Sequence, residues 1–431
     1  MKVTVEELSP SKRALRVELP SEQVASRLEA TYQEWARRLQ LPGFRRGKVP
    51  RAIIERRFKD DVQDEVLRAL IPDSYQEALA QSALDPVGQP TVEDVHFHSG
   101  EPLTYRAVVE VKPPVTVSDY RGVTLEREKV EVTDQDVDKA LEYLREEAAE
   151  YVPMEGWPAL RDDLVVLDHE GTLNGKSFKG GSGKNLSVVL GRGGYLPGFE
   201  EQILGMQKGE QKSFVLPVPP DFPRKDLAGH ELEFAVTVKE VKKRRLPELN
   251  DEFAKSAGDQ ETLAELRDKL RQQLLERKQR EQEAGLKRAL MDKLAERHAI
   301  ELPEAMVDRE TGQVLEEMAM ALRASGGRLP AGQTEGLEAR AREMARRRVK
   351  EALLLEAVAR QEGLQVSDEE LETEVRAMAG AYRQDPAALQ RAFEEPARRA
   401  GLRARLLERK ALDWLFSQAT ITDAYRLIQP A

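Results

Sequence analysis

Eight consecutive residues, Gly43-Phe44-Arg45-Arg46-Gly47-Lys48-Val49-Pro50, set three cations around two glycines and close on a proline. Glycine at both ends of a short basic run allows a sharp loop tip. The string therefore predicts a bend anchored by Phe44, with Arg45, Arg46 and Lys48 projecting as a cationic finger. Arg51, Arg56, Arg57 and Lys59 extend the positive charge along the next segment. Such a patch pairs with phosphates or with acidic side chains.

Other chemistries fail on residue type or spacing. The chain has no cysteine, which excludes disulfides, Cys-ligated zinc and thiol nucleophiles. Gly175-Lys176-Ser177 is similar to the end of a phosphate-binding loop, but the earlier glycine that motif needs falls on Glu170. Gly191-Arg192-Gly193-Gly194 is no dinucleotide fingerprint, because Leu196 occupies the last glycine position. His96 and His98 share one face of a strand, yet no third metal ligand accompanies them. No metal and no cofactor are expected.

These residues sit in a chain of 431 residues, too long for one core, so two to four domains are expected. Charged residues make up 33% and aromatics 5%, a balance that suits long helices with solvated faces. A net charge of −10 argues against general nucleic-acid affinity. The N-terminus lacks the apolar run of a signal peptide, and no run of 18 apolar residues occurs. A cytoplasmic location without membrane contact is the expectation.

Alternation predicts strands at Lys2–Glu7, Ala14–Leu19, Val92–Phe97 and Leu103–Val111. Between them, Ser21 reads as the N-cap of one helix, and a second helical stretch spans about Arg51 to Leu84. Pro113-Pro114 ends this small α+β unit. A helix capped by Thr133 follows at about 134–150. From 156 to 241 glycine, proline and strand-like runs predict a separate β-rich domain, with Lys242-Lys243-Arg244-Arg245 and Pro247 as its exit. From 250 to 425 leucines at helical spacing predict about five helices. Six of nine methionines lie there, Met291, Met306, Met318, Met320, Met344 and Met378, a residue suited to adaptable binding surfaces.

The loop resembles the Gly-Phe-Arg-x-Gly-Lys-x-Pro signature of the trigger factor family, with all six specified positions present. That resemblance implies ribosome docking beside the exit tunnel of the large subunit through Gly43, Phe44, Arg45, Gly47, Lys48 and Pro50, with Arg46 adding charge. In the β-rich stretch, Asp168-His169-Glu170-Gly171, Asn174-Gly175-Lys176-Ser177-Phe178, Leu196-Pro197-Gly198-Phe199-Glu200 and Gly205-Met206-Gln207-Lys208-Gly209-Glu210 occur in order. The set resembles an FKBP-type prolyl isomerase domain. By that resemblance the catalytic set is Phe178, Val188, Leu196, Phe199, Phe222 and Phe234, with Phe199 as the pocket floor. His169 stands in the pocket where the family usually has Tyr or Phe, and Lys179 where an acid is common. Arg245-Leu246-Pro247-Glu248-Leu249-Asn250-Asp251-Glu252-Phe253 resembles the family's junction into its helical part.

The resemblance implies a multidomain α+β protein. Residues 1–112 would bind the ribosome, 113–149 would connect and pack with the helical part, and 150–245 would form an FKBP-like antiparallel β domain with a short helix. Residues 246–431 would be an all-α chaperone domain of long helices. It further implies holding of nascent and unfolded polypeptides without ATP, and self-association as a dimer off the ribosome. A ribosome-associated holding or assembly protein with a weak or inactive isomerase domain stays open at this point.

Overall fold

The computed structural model describes residues 1–42, 44, 49–98, 100–193, 195–220, 222, 224–325, 334–382 and 385–423. It divides into two compact units, residues 1–128 with 284–431, and residues 129–283. Among the described residues no helix is long and apolar enough to cross a membrane.

The chain opens with strands β1 (Lys2–Ser9) and β2 (Lys12–Leu19) and helices α1 (Ser21–Arg38), α2 (Arg51–Arg57) and α3 (Lys59–Ser82). Strands β3 (Thr91–His96) and β4 (Leu103–Glu110) complete an antiparallel sheet in the order β1-β2-β4-β3. Alternate residues of β4, Leu103, Tyr105, Ala107 and Val109, are buried, as a half-covered strand requires. Ser21 is the first residue of α1 rather than its cap; Pro20 holds the cap position without a side-chain bond. The expected single helix from 51 breaks at Phe58, whose φ of −133° leaves the helical region. Its ring packs against Trp35 with centroids 5.6 Å apart, so a tertiary contact fixes the break.

After β5 (Thr124–Arg127) the second unit begins with α4 (Asp134–Glu147). Thr133 and Asp136 form a reciprocal capping box at its start. Bonds from Lys278 and Thr133 hold the Asp136 carboxyl down to about 2. Strands β6 (Glu150–Pro153), β7 (Leu164–Leu173), β8 (Lys176–Val189), β9 (Gln211–Pro217) and β10 (Glu231–Arg245) form a five-stranded antiparallel sheet, with short helix α5 (Phe199–Ile203) beside it. The basic run 242–245, read as the exit of this domain, ends β10 and pairs with β6. Buried Asp163 accepts the Arg244 backbone N–H at 3.1 Å, which fastens this end of the strand.

Helices α6 (Asp251–Gly258) and α7 (Leu263–Arg297) follow, α6 capped by the Asn250 side chain. Phe253, Leu266 and Leu270 bury against Val137 and Leu141 of α4. From residue 284, α7 belongs to the first unit, where Leu286, Leu290 and Leu294 join the largest apolar cluster. The helices α8 (Glu304–Ala324), α9 (Thr334–Gln361), α10 (Asp368–Tyr382), α11 (Pro386–Ala392) and α12 (Pro396–Ser417) precede β11 (Thr420–Asp423), which pairs parallel with β5. Among the described residues seven helices lie beyond residue 250, two more than the roughly five expected; Pro386 and Pro396 stand at the starts of α11 and α12. Met291 is core, whereas Met320 and Met344 are exposed.

Candidate functional site

A cavity of about 260 Å³ opens on the sheet of the second unit. His169, Phe178, Leu196, Phe199, Phe222 and Phe234 line it together with Tyr195, Leu186, Leu227, Gly180 and Arg224. Its making starts with glycine. A Cβ on Gly171 would lie 2.7 Å from the Phe234 ring, one on Gly181 2.8 Å from Phe178, and one on Gly183 2.7 Å from His169. Bare backbone on neighbouring strands thus leaves room for three rings to lie against the sheet. Gly198 then turns left-handed at φ 86° and starts α5, whose first residue is Phe199.

Phe199 is 3% exposed and touches rings on four sides. Its centroid lies 5.2 Å from Phe234, 5.7 Å from Phe214, 5.8 Å from Tyr195 and 6.3 Å from His169. Most of these contacts are edge-on or tilted, the arrangement ring quadrupoles favour. The next residue, Glu200, is buried and accepts the backbone N–H of Gly191 at 2.6 Å and of Gly193 at 3.3 Å. It ties the segment leading to Tyr195 and Leu196 to α5.

Val188 is buried in the apolar core of this domain and is not among the cavity-lining residues. His169 pairs with Gly183 on one side and Val236 on the other. Its Nδ1 is enclosed with no hydrogen-bond partner. Burial pushes its pKa down, against a smaller opposing pull from Asp168, so the ring is neutral at pH 7. Lys179 is exposed, and its carbonyl accepts Arg224 Nη1 at 2.7 Å. Tyr195, Phe214 and Arg224 were not singled out from sequence. Tyr195 directly precedes Leu196, and Phe214 pairs with Phe234 across two strands, so strand register could have found the latter.

The walls hold a neutral imidazole, one guanidinium, one phenol and otherwise apolar groups. Such a pocket suits rotation about an amide bond, where the barrier is loss of resonance of about 18–20 kcal/mol. A dry cavity that binds the twisted amide better than the planar one lowers that barrier without nucleophile or metal. Among the described residues no metal-binding group of His and carboxylate side chains occurs.

In the basic loop, Gly43, Arg45, Arg46, Gly47 and Lys48 lie outside the described residues. Phe44 is exposed rather than anchoring the loop. Val49 is buried and Pro50 stands at the N-cap of α2. Arg51 is committed to Glu29 and lies over the Tyr32 ring, whereas Arg56, Arg57 and Lys59 are exposed. His96 and His98 are exposed.

Three family models match. The bacterial trigger factor protein model matches residues 1–144, the trigger factor C-terminus model 262–417, and the FKBP-type peptidyl-prolyl cis-trans isomerase model 157–239. The chain is similar to the trigger factor of Moorella thermoacetica, 39% identical over 393 residues, 90% of this chain and 88% of that one. It is likewise similar to the trigger factor of a Geobacillus species, 37% identical over 98% of this chain and 100% of that one. Among solved structures, one described as concerning promiscuous substrate recognition in the folding and assembly activities of the trigger factor chaperone matches with a TM-score of 0.54 and 26% identity. It covers 97% of this chain and 99% of that chain.

Proposed function

This chain belongs to the trigger factor family, a ribosome-associated chaperone with an FKBP-type prolyl isomerase domain, and we propose the following assignment of its parts. Residues 1–112 bind the large ribosomal subunit beside the exit tunnel, with Gly43, Phe44, Arg45, Arg46, Gly47, Lys48 and Pro50 as the contact. Residues 113–149 connect, 150–245 isomerise X–Pro bonds, and 246–431 hold nascent and unfolded chains without ATP. The protein works in the cytoplasm and forms dimers when off the ribosome.

The observation that carries the catalytic part is the ring-lined cavity around Phe199. Phe178, Leu196, Phe199, Phe222, Phe234 and His169 form the walls against which the twisted amide is stabilised. Val188 acts from beneath, as packing for those walls. Uncatalysed X–Pro isomerisation takes tens to hundreds of seconds, so acceleration is easily read. The test is a proline-limited refolding assay run beside ribosome cosedimentation. Acceleration and pelleting by the same chain support the assignment; a chain that pellets but leaves the refolding rate unchanged would refute the catalytic half.

A further inference from the structure

Between Gly171 and Phe199 the sequence contains Lys176, Lys179, Lys184 and Arg192 but no Asp or Glu, in a chain whose net charge is −10. This stretch supplies Phe178, Gly180, Leu186, Tyr195, Leu196 and Phe199 to the cavity. Lys179 sits between two lining residues, Lys184 two before Leu186, and Arg192 three before Tyr195. All four cations are exposed, and among the described residues none of them forms an ion pair. Arg224 adds a guanidinium to the wall itself, 5.7 Å from the centre of the Phe178 ring.

Six acids adjoin lining residues, against which exposed Lys225 adds a further cation. Glu200 is buried and accepts the Gly191 and Gly193 N–H groups, Glu233 accepts the Thr172 hydroxyl at 3.3 Å, and Asp221 lies outside the described residues. Asp168 pairs with Lys239 at 3.2 Å and accepts the Asn185 N–H at 2.9 Å. Asp226 pairs with Arg224 at 2.6 Å. Glu170 is exposed on β7. The rim therefore carries an excess of positive charge. Residues along a strand are about 3.3 Å apart, and the screening length at physiological salt is about 8 Å. A substrate side chain flanking the bound proline thus lies within reach of this charge.

We propose that the rim selects X–Pro bonds flanked by acidic side chains and disfavours those flanked by Lys or Arg. The apolar cavity takes the proline ring, and the cations on β8 and the following loop read the neighbours. The inference rests on the active-site reading above and adds the class of substrate.

The test measures kcat/KM of the full chain on three peptides that share an Ala-Pro bond and differ beside it: Glu, Lys or an uncharged residue. At low salt the Glu peptide should turn over roughly fivefold faster than the Lys peptide, the scale of about one exposed charge contact. The ratio should approach one at about 1 M salt, where screening falls to roughly 3 Å. A Lys179→Glu/Arg192→Glu double variant should reverse the order of the Glu and Lys peptides. Equal rates at low salt, a preference for Lys, or a preference that survives high salt would overturn the proposal. Should the double variant not fold, the salt series of the unaltered chain decides alone. No activity on the uncharged peptide would instead refute the active-site reading.

Discussion

Phe199 meets Phe234 edge-on, with ring centroids 5.2 Å apart and planes 76° from parallel. One ring comes from the first residue of a five-residue helix and the other from the fourth residue of the 15-residue strand β10, so the cavity depends on α5 sitting squarely on the sheet.

Replacing Phe199 by Ala should therefore act twice. Loss of a buried Phe costs about 3–5 kcal/mol of stability in this domain. Isomerase activity should fall by more than about tenfold, since about 1.4 kcal/mol of lost transition-state binding suffices for that. Phe199→Leu keeps most of the volume and separates the two effects: its melting temperature should drop little while activity still falls. Peptide isomerisation and thermal denaturation, measured on both variants, check this; full activity in either would remove Phe199 from the site.

The buried His169 predicts a pH dependence in a reaction that otherwise needs no titrating group. Desolvation lowers its folded pKa below the ordinary value of 6.5. The unfolded chain therefore takes up the proton first. The stability associated with the neutral ring is complete above pH 6.5 and is lost as pH falls through the lowered folded pKa. Protonation also demands an acceptor for Nδ1, and none is present. Around the ring, Asp168 is committed to Lys239, Glu170 and Lys184 are exposed, and Arg224 and Tyr195 share the cavity. Activity and domain stability should both decline below about pH 6.5, and His169→Phe should flatten both profiles. A decline of the same size in that variant would assign the effect elsewhere.

Gly181 tests how the rings find room. A Cβ there would meet the Gly171 carbonyl at 2.8 Å and the Phe178 ring at 2.8 Å. Backbone cannot yield as a side-chain tip can, so Gly181→Ala should cost about 1–3 kcal/mol and displace Phe178 from the wall. Denaturant unfolding and peptide isomerisation should both report it. Unchanged stability would mean that the strands part more easily than their pairing suggests.

Sequence reasoning found the strands whose patterns alternate and the walls whose residues sit in ordered motifs. It found the Thr133 cap because capping is local. It missed the break at Phe58, which depends on Trp35 more than twenty residues away. It read the 242–245 run only as the exit of the β-rich domain; the pairing of that run with β6 is a tertiary fact. Arg224 reaches the cavity through a bond to the carbonyl of Lys179, and nothing in its local sequence announces that.

In the basic loop, Phe44 presents its ring to solvent, so it can be removed without emptying a core. Replacing Phe44, Arg45 and Lys48 together by Ala should abolish ribosome cosedimentation and leave the melting curve unchanged. Binding by the unaltered chain should weaken with added salt, because exposed charge contacts are screened. Pelleting of the triple variant at the level of the unaltered chain would rule out this loop as the contact.

Holding and isomerisation should be separable, and the pairing of β6 with β10 shows where to cut. Glu150–Pro153 pairs with Lys242–Arg245, so excising 150–245 and joining 149 to 246 removes both members of the pair and leaves no orphaned strand. What stays behind in this unit is an apolar cluster of its own: Val137 and Leu141 of α4 against Phe253 of α6 and Leu266 and Leu270 of α7. The first unit loses no residue, since its segments are 1–128 and 284–431. Parts that keep their own cores remain folded. The shortened chain should pellet with ribosomes and suppress aggregation of an unfolded protein, with or without ATP, because its exposed Met320 and Met344 and its charged helices are untouched. It should no longer accelerate proline-limited refolding. Light scattering with and without nucleotide, beside the refolding assay, decides. Loss of holding in a shortened chain shown to be folded by circular dichroism would move the client surface into the excised β domain.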